Sequence, residues 1–239
     1  MTESKLNQTT ERRGFLGAIA SVATALGLTA IASPLNLVGQ QQKPTTAKAR
    51  PPATHPADLW FNKIKGTHRV VYDAPHPNGL FPFAWPKVFL LTNGATGSPP
   101  SDCGVVVVLR HDAIAYAFED RLWSTYKFGE TFKAEDPKTK TPATRNPFWM
   151  PMKGDFKIPG IGEVEIGINQ LQSQGVLFCV CEAAITVYSA VVAEQMGKVA
   201  ADVRKDWIEG LLPGIQLVPS GVWALGRAQE HKCKYIFAG

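Results

Sequence analysis

The chain has 239 residues, 45% of them hydrophobic, with a formal net charge of +5 and four cysteines. That length and composition suit one globular domain with a sizeable core and argue against a fibrous or wholly disordered protein. Residues 1–32 hold three basic and two acidic side chains and residues 33–57 three basic and none acidic, which leaves only +1 beyond Ala57, so the basic balance gives no support to a nucleic-acid partner.

The first 32 residues are predicted to be an address, not structure. Thr10-Glu-Arg-Arg-Gly-Phe-Leu-Gly17 sets two arginines before Phe-Leu, a moderately apolar Gly/Ala/Thr run follows, and Ala30-Ile31-Ala32 offers small residues for cleavage. This resembles a twin-arginine (Tat) export signal, with Glu11 a departure from the usual Ser. It implies a periplasmic or otherwise exported protein, touching a membrane only through the leader if that stays uncleaved. Residues 33–57, rich in Pro, Gln, Thr and Lys, read as a flexible tether, and 58–239 as the folded domain.

Within the domain, short apolar strands alternate with helical stretches. His68–Ala74 is predicted as the first strand, Trp85–Gly94 as a helix with Pro86 in its first turn, and Gly104–Arg110 as a very apolar second strand. Ala113–Phe118 extends that strand or forms a short element of its own. Arg121–Phe128 suggests a helix ended by Gly129, and Val164–Gln174 another leading into a third strand, Val176–Val180. Helices are predicted at Glu182–Met196 and from Val199 to Leu212, a fourth strand at Ile215–Val218, a helix at Gly221–Glu230 capped by Ser220, and a fifth strand at Lys234–Ala238. Strands joined by helical crossovers predict a three-layer α/β/α fold on a five-stranded parallel sheet. Residues 130–162 are predicted as an inserted loop. Its apolar segment Asn146–Met152 must dock somewhere: as a lid over a pocket, over an exposed sheet face, or on another subunit.

In open parallel sheets, ligands bind beyond the carboxyl ends of the strands. That edge collects Tyr72, Asp73, Arg110, His111, Asp112, Cys181, Glu182, Ser220 and Gly221, of which Asp73, His111, Cys181, Glu182, Ser220 and Gly221 are the candidates. Cys181 would end a strand and begin a helix, where unpaired N–H groups and the helix dipole favour a negative sulfur; Cys181 and His111 are therefore the predicted catalytic pair, with Asp73, Glu182, Ser220 and Gly221 around a substrate. The plainer reading is that Cys181 is simply buried and that His111 bonds locally. A redox pair of Cys179 and Cys181 lacks the CxxC spacing, and Cys179, Cys181 and a His do not make a recognisable zinc motif. No nucleotide or standard hydrolase motif appears, so neither cofactor nor metal is implied. Cys103 and Cys233 precede the second and fifth strands, and whether they pair as a disulfide depends on strand order.

Phe178-Cys-Val-Cys-Glu-Ala-Ala184 resembles the strand–Cys–helix segment of the DsrE/DsrF-like family. Ile215–Leu225, with Ala228-Gln-Glu230 and Lys234-Tyr-Ile236, is similar to that family's closing strand–Ser-Gly–helix–strand, and Val106–His111 to its second strand and following His. The likeness spans residues 66–239, with the insert as a departure. It implies a small oligomeric α/β protein in which Cys181 accepts sulfane sulfur as a persulfide, His111 orients it or shuttles protons, and a partner protein donates or receives the sulfur. The rival expectation is a non-catalytic binding or assembly module of the cell envelope.

Overall fold

The computed structural model describes residues 55–239. The predicted export signal and almost all of the predicted tether therefore lie outside the described residues. Helix starts at Pro56, two residues before the expected start of the domain, because the His55 ring accepts the Ala57 N–H and the Asp58 carboxylate accepts the His55 N–H around α1 (Pro56–Trp60).

A five-stranded, all-parallel sheet runs through the centre, in the order β6-β5-β2-β1-β7. Its strands are β1 (His68–Ala74), β2 (Cys103–Leu109), β5 (Leu177–Cys181), β6 (Ile215–Val218) and β7 (Lys234–Phe237). A two-stranded antiparallel ribbon, β3 (Lys157–Ile158) with β4 (Gly162–Glu163), closes the insert. Alternation splits the strand side chains between two faces: Val70, Tyr72, Val105, Val107, Phe178 and Val180 join the larger apolar core, while Val71, Val106, Val108, Cys179 and Val218 join the smaller.

The helices follow from crossover handedness. Steps from β1 through β2 and β5 to β6 all move one way across the sheet, so right-handed crossovers put α2 (Phe81–Ala95), α6 (Glu182–Gln195) and α7 (Ala200–Glu209) against the larger core. The last step returns across the sheet from β6 to β7, which places α8 (Gly221–Glu230) on the opposite face beside α1. The predicted three-layer α/β/α architecture is the one observed. Among the described residues no helix is long and apolar enough to cross a membrane.

Local differences from the sequence expectation have identifiable causes. α2 starts four residues early: Pro82 takes the first turn, and Pro86 is buried one turn further in, where its missing N–H leaves the Pro82 carbonyl without its helical donor. His111–Ala117 forms a 3-10 segment with Ala113–Ala117 wholly buried, not an extension of β2. The helix expected up to Phe128 breaks at Lys127, whose φ of 50° is left-handed, giving α3 (Asp120–Thr125) and α4 (Phe128–Thr131). Gly129 lies inside α4 and does not end a helix; a Cβ there would come within 2.3 Å of the Ala143 backbone, so glycine is needed for close approach. α5 is short (Ile168–Ser173), since the chain before it leaves the β4 ribbon extended.

The insert is neither a free loop nor a lid over the strand ends. Phe148 stacks on Phe83 of α2 at 4.1 Å and on Phe156 at 5.1 Å, fully buried, and contributes about 2–3 kcal/mol through that burial. Asn146 is fully buried but satisfied, donating to the Tyr116 and Phe118 carbonyls at 2.9 Å and accepting from the Phe148 N–H. The apolar segment thus divides: Asn146 and Phe148 extend the core, while Met150 and Met152 remain in solvent.

Candidate functional site

The carboxyl edge of the sheet carries two separate side-chain clusters. In the first, Asp73 is 2% exposed at the end of β1. A carboxylate this far from water needs compensating donors. It receives a two-pronged ion pair from Arg110, Nε at 2.6 Å and Nη2 at 2.9 Å, and the Tyr235 hydroxyl donates to it at 2.8 Å. The carboxylate raises the Arg110 pKa above its ordinary value, through that hydrogen bond first. Gly221, the first residue of α8, packs flat on Arg110; a Cβ there would lie 2.5 Å from the Arg110 Cβ. Ser220 caps α8, its Oγ accepting the Trp223 N–H at 3.2 Å.

Cys181 adjoins this cluster. Leu109 and Val180 are register partners, so the next residues on those strands, Arg110 and Cys181, are neighbours. Cys181 is also the N-cap of α6, and its Sγ accepts the Ala184 N–H at 3.3 Å. The side chain is buried at 6% exposure. Cys179 is fully buried, and burial followed by proximity to Cys181 pushes its thiol far above the usual range. A thiol so disfavoured as a thiolate is a poor nucleophile.

The second cluster comprises His111 and Asp112 at the start of the 3-10 segment, His76 after β1, and Tyr188 on α6. Asp112 lies 3.2 Å from His76 Nδ1 and 3.1 Å from His111 Nδ1, and the Tyr188 hydroxyl donates to it. Both imidazoles are about half exposed. Burial, then the bond to Asp112, pushes the Tyr188 phenol above its ordinary range. His111 takes φ +49°, a left-handed conformation uncommon for a non-glycine residue.

The six candidates are thus distributed unevenly. Asp73, Ser220, Gly221 and Cys181 share one cluster, but Asp73 is already occupied by Arg110 and Tyr235. Glu182 is ion-paired with Arg204, joining α6 to α7. His111 lies 3.1 Å from Asp112 and is hydrogen-bonded to Tyr188, and among the described residues no hydrogen bond joins it to Cys181. Sequence reasoning leaves His76, Tyr188 and Tyr235 out of the site. None of them carries a local signal: Tyr235 shares a face with Asp73 only because β7 pairs with β1 in the register that sets Tyr235 against Val71.

The suggested Cys103–Cys233 disulfide does not form; all four cysteines are free thiols. β1 lies between β2 and β7, so the two positions are two strand spacings apart, about 9.5 Å, beyond the reach of a disulfide. A groove of about 540 Å³ lies elsewhere, between α2 and the insert, lined by Lys87, Leu91, Met152, Phe156, Glu163 and Glu165 among others. It includes none of the strand-end candidates.

The fold and its edge define a class, a three-layer α/β/α domain with an all-parallel five-stranded sheet. No family model matches the chain, and neither does any curated protein. Among solved structures the chain is similar to the protein of unknown function MTH1491 from Methanobacterium thermoautotrophicum, at 17% identity over 72% of this chain and 99% of that one, with a TM-score of 0.37.

Proposed function

We propose that this is an exported DsrE-like protein that carries sulfur as a persulfide on Cys181, exchanging it with a partner protein. The observation that supports this most is the place of the Cys181 sulfur. It caps α6 through the Ala184 N–H and adjoins Arg110, so an anionic sulfur there meets a helix N-terminus and a cation together. The likeness of Phe178–Ala184 to the DsrE/DsrF-like strand–Cys–helix segment supports the same reading. Homo-oligomer formation belongs to the proposal, since edge strand β7 leaves Ile236 and Phe237 exposed. Intact-mass spectrometry after exposure to polysulfide is expected to give an adduct of about 32 Da that is removed by reductant and absent from Cys181→Ser. The same adduct on Cys181→Ser, or none on the wild type, overturns the reading.

Burial of Cys181 favours a second reading, a non-catalytic binding or assembly module. Thiol labelling of the folded protein separates the two. Cys103 is 8% exposed, about as accessible as Cys181, but burial and then the Asp102 charge raise its pKa. Burial likewise raises Cys233 to about 11, with Arg69 opposing. The sulfur-carrier reading therefore expects iodoacetamide to modify Cys181 well before either, whereas the binding-module reading expects all to react slowly.

A further inference from the structure

We propose that His76, His111 and Asp112 form a binding site for one divalent transition-metal ion of the Zn²⁺ type. The proposal is independent of the sulfur reading and uses none of the cysteines. The three residues come from two segments, the turn after β1 and the 3-10 segment after β2, and one donor atom from each lies within 4.8 Å of the others. The two carboxylate oxygens of Asp112 divide between the rings, Oδ2 at 3.2 Å from His76 Nδ1 and Oδ1 at 3.1 Å from His111 Nδ1. Two ligands each about 2.0–2.1 Å from a shared zinc ion lie about 3.0–3.5 Å apart, so both spacings already match a first coordination sphere.

The donor chemistry narrows the occupant. Two imidazoles with one carboxylate favour Zn²⁺, Fe²⁺, Co²⁺ or Ni²⁺, while Mg²⁺ and Ca²⁺ prefer all-oxygen shells. The Tyr188 hydroxyl donates to Asp112 Oδ1, beside the His111 ring, the kind of outer-shell bond that fixes a ligating carboxylate. Among the described residues, the ion pairs of Asp112 are with these two imidazoles alone, so no Lys or Arg competes for its charge. Both rings are about half exposed, which leaves coordination positions facing solvent. Three protein ligands with open positions are the arrangement of a site that holds water or an exogenous ligand, not that of a closed structural zinc. No linear motif announces it, because His76 and Asp112 meet only when β1 and β2 pair.

The test uses tag-free full chain, stripped with a chelator and titrated with Zn²⁺ by calorimetry and with Co²⁺ by visible absorption. One ion per chain is expected, with a Co²⁺ spectrum of nitrogen and oxygen ligation and no thiolate charge-transfer band. His76→Ala and Asp112→Ala are each expected to weaken binding by about tenfold or more, and Tyr188→Phe by about tenfold. Cys181→Ser is expected to bind as the wild type does. Circular dichroism of each variant confirms folding, and His76, on an exposed turn, is the substitution least able to disturb it. Wild type that binds no ion, affinity unaltered in the His76→Ala/Asp112→Ala double variant, or binding abolished by Cys181→Ser overturns the assignment.

Discussion

Asp73 and Asp112 stand at the ends of adjacent parallel strands, yet the fold treats them oppositely. Asp73 is sealed in, with a guanidinium and a phenol filling its lone pairs and glycine at 221 letting a helix close over Arg110. The Asp112 side chain is 30% exposed, and both of its ring partners are about half exposed. The carboxyl edge of a parallel sheet is a good place to seek chemistry, but a charge there can equally well be the bolt that holds the edge shut. Burial and a complete set of partners tell the two cases apart.

The contrast breaks if the two carboxylates matter equally for stability. Asp73→Ala leaves the Arg110 guanidinium without its partner and is expected to cost about 3–5 kcal/mol in urea unfolding. Asp112→Ala, at an exposed cluster, is expected to cost about 1 kcal/mol or less. Next in size is Gly221→Ala, whose new Cβ would press on Arg110 and is expected to cost about 1–3 kcal/mol. At Gly226, in the same helix, an added methyl would meet no atom within 4 Å, so Gly226→Ala should stabilise by up to about 1 kcal/mol. Opposite signs from two glycines of one helix would place the constraint at Arg110. Equal signs would assign it to helix propensity alone.

The sheet is legible in the sequence because its signals are local. Val-rich runs at 104–109 and 176–180 are strands that have to be buried on both faces, and Ser220 before Gly221 is a helix start that needs no tertiary information. Cys181 at a strand–helix junction is legible for the same reason. What cannot be read depends on which strands are neighbours. The order that puts β1 between β2 and β7 rules out the Cys103–Cys233 bond, and it also brings His76 to Asp112 and Arg110 to Asp73. The insert reads as a loop because Pro, Lys and Thr dominate its composition, while a few buried residues, Phe148, Asn146 and Phe156, fasten it to the core.

Smaller effects sharpen the boundary between the bolt and the cysteine beside it. Ser220→Ala removes the side-chain acceptor for the Trp223 N–H and is expected to cost about 1 kcal/mol. Cys181→Ser keeps an acceptor at the α6 N-cap, where serine is among the favoured residues, so it should leave unfolding nearly unchanged. Chemical denaturation of the two variants side by side checks both. A large loss in Cys181→Ser would mean that the thiol is a packing element and that its loss of sulfur chemistry could not be interpreted alone.

The smallest effect is a pH dependence confined to the closed cluster. Burial first, then the bond to Asp73 and its charge, raise the Tyr235 pKa above its ordinary value, with Arg110 opposing. The phenol therefore ionises more readily in the unfolded chain than in the folded one. Its stabilisation is fully present below the unfolded value of about 10 and is lost as pH rises through the higher folded value. Tyr235→Phe removes the titration. The stability gap between wild type and variant should therefore be constant from neutral pH to about pH 9 and should narrow above about pH 10. Tyr235 is 46% exposed, so solvent weakens the coupling and the narrowing should be slight. A gap that stays level across the alkaline range would mean that Asp73 is held by Arg110 alone and that the phenol only lies over it.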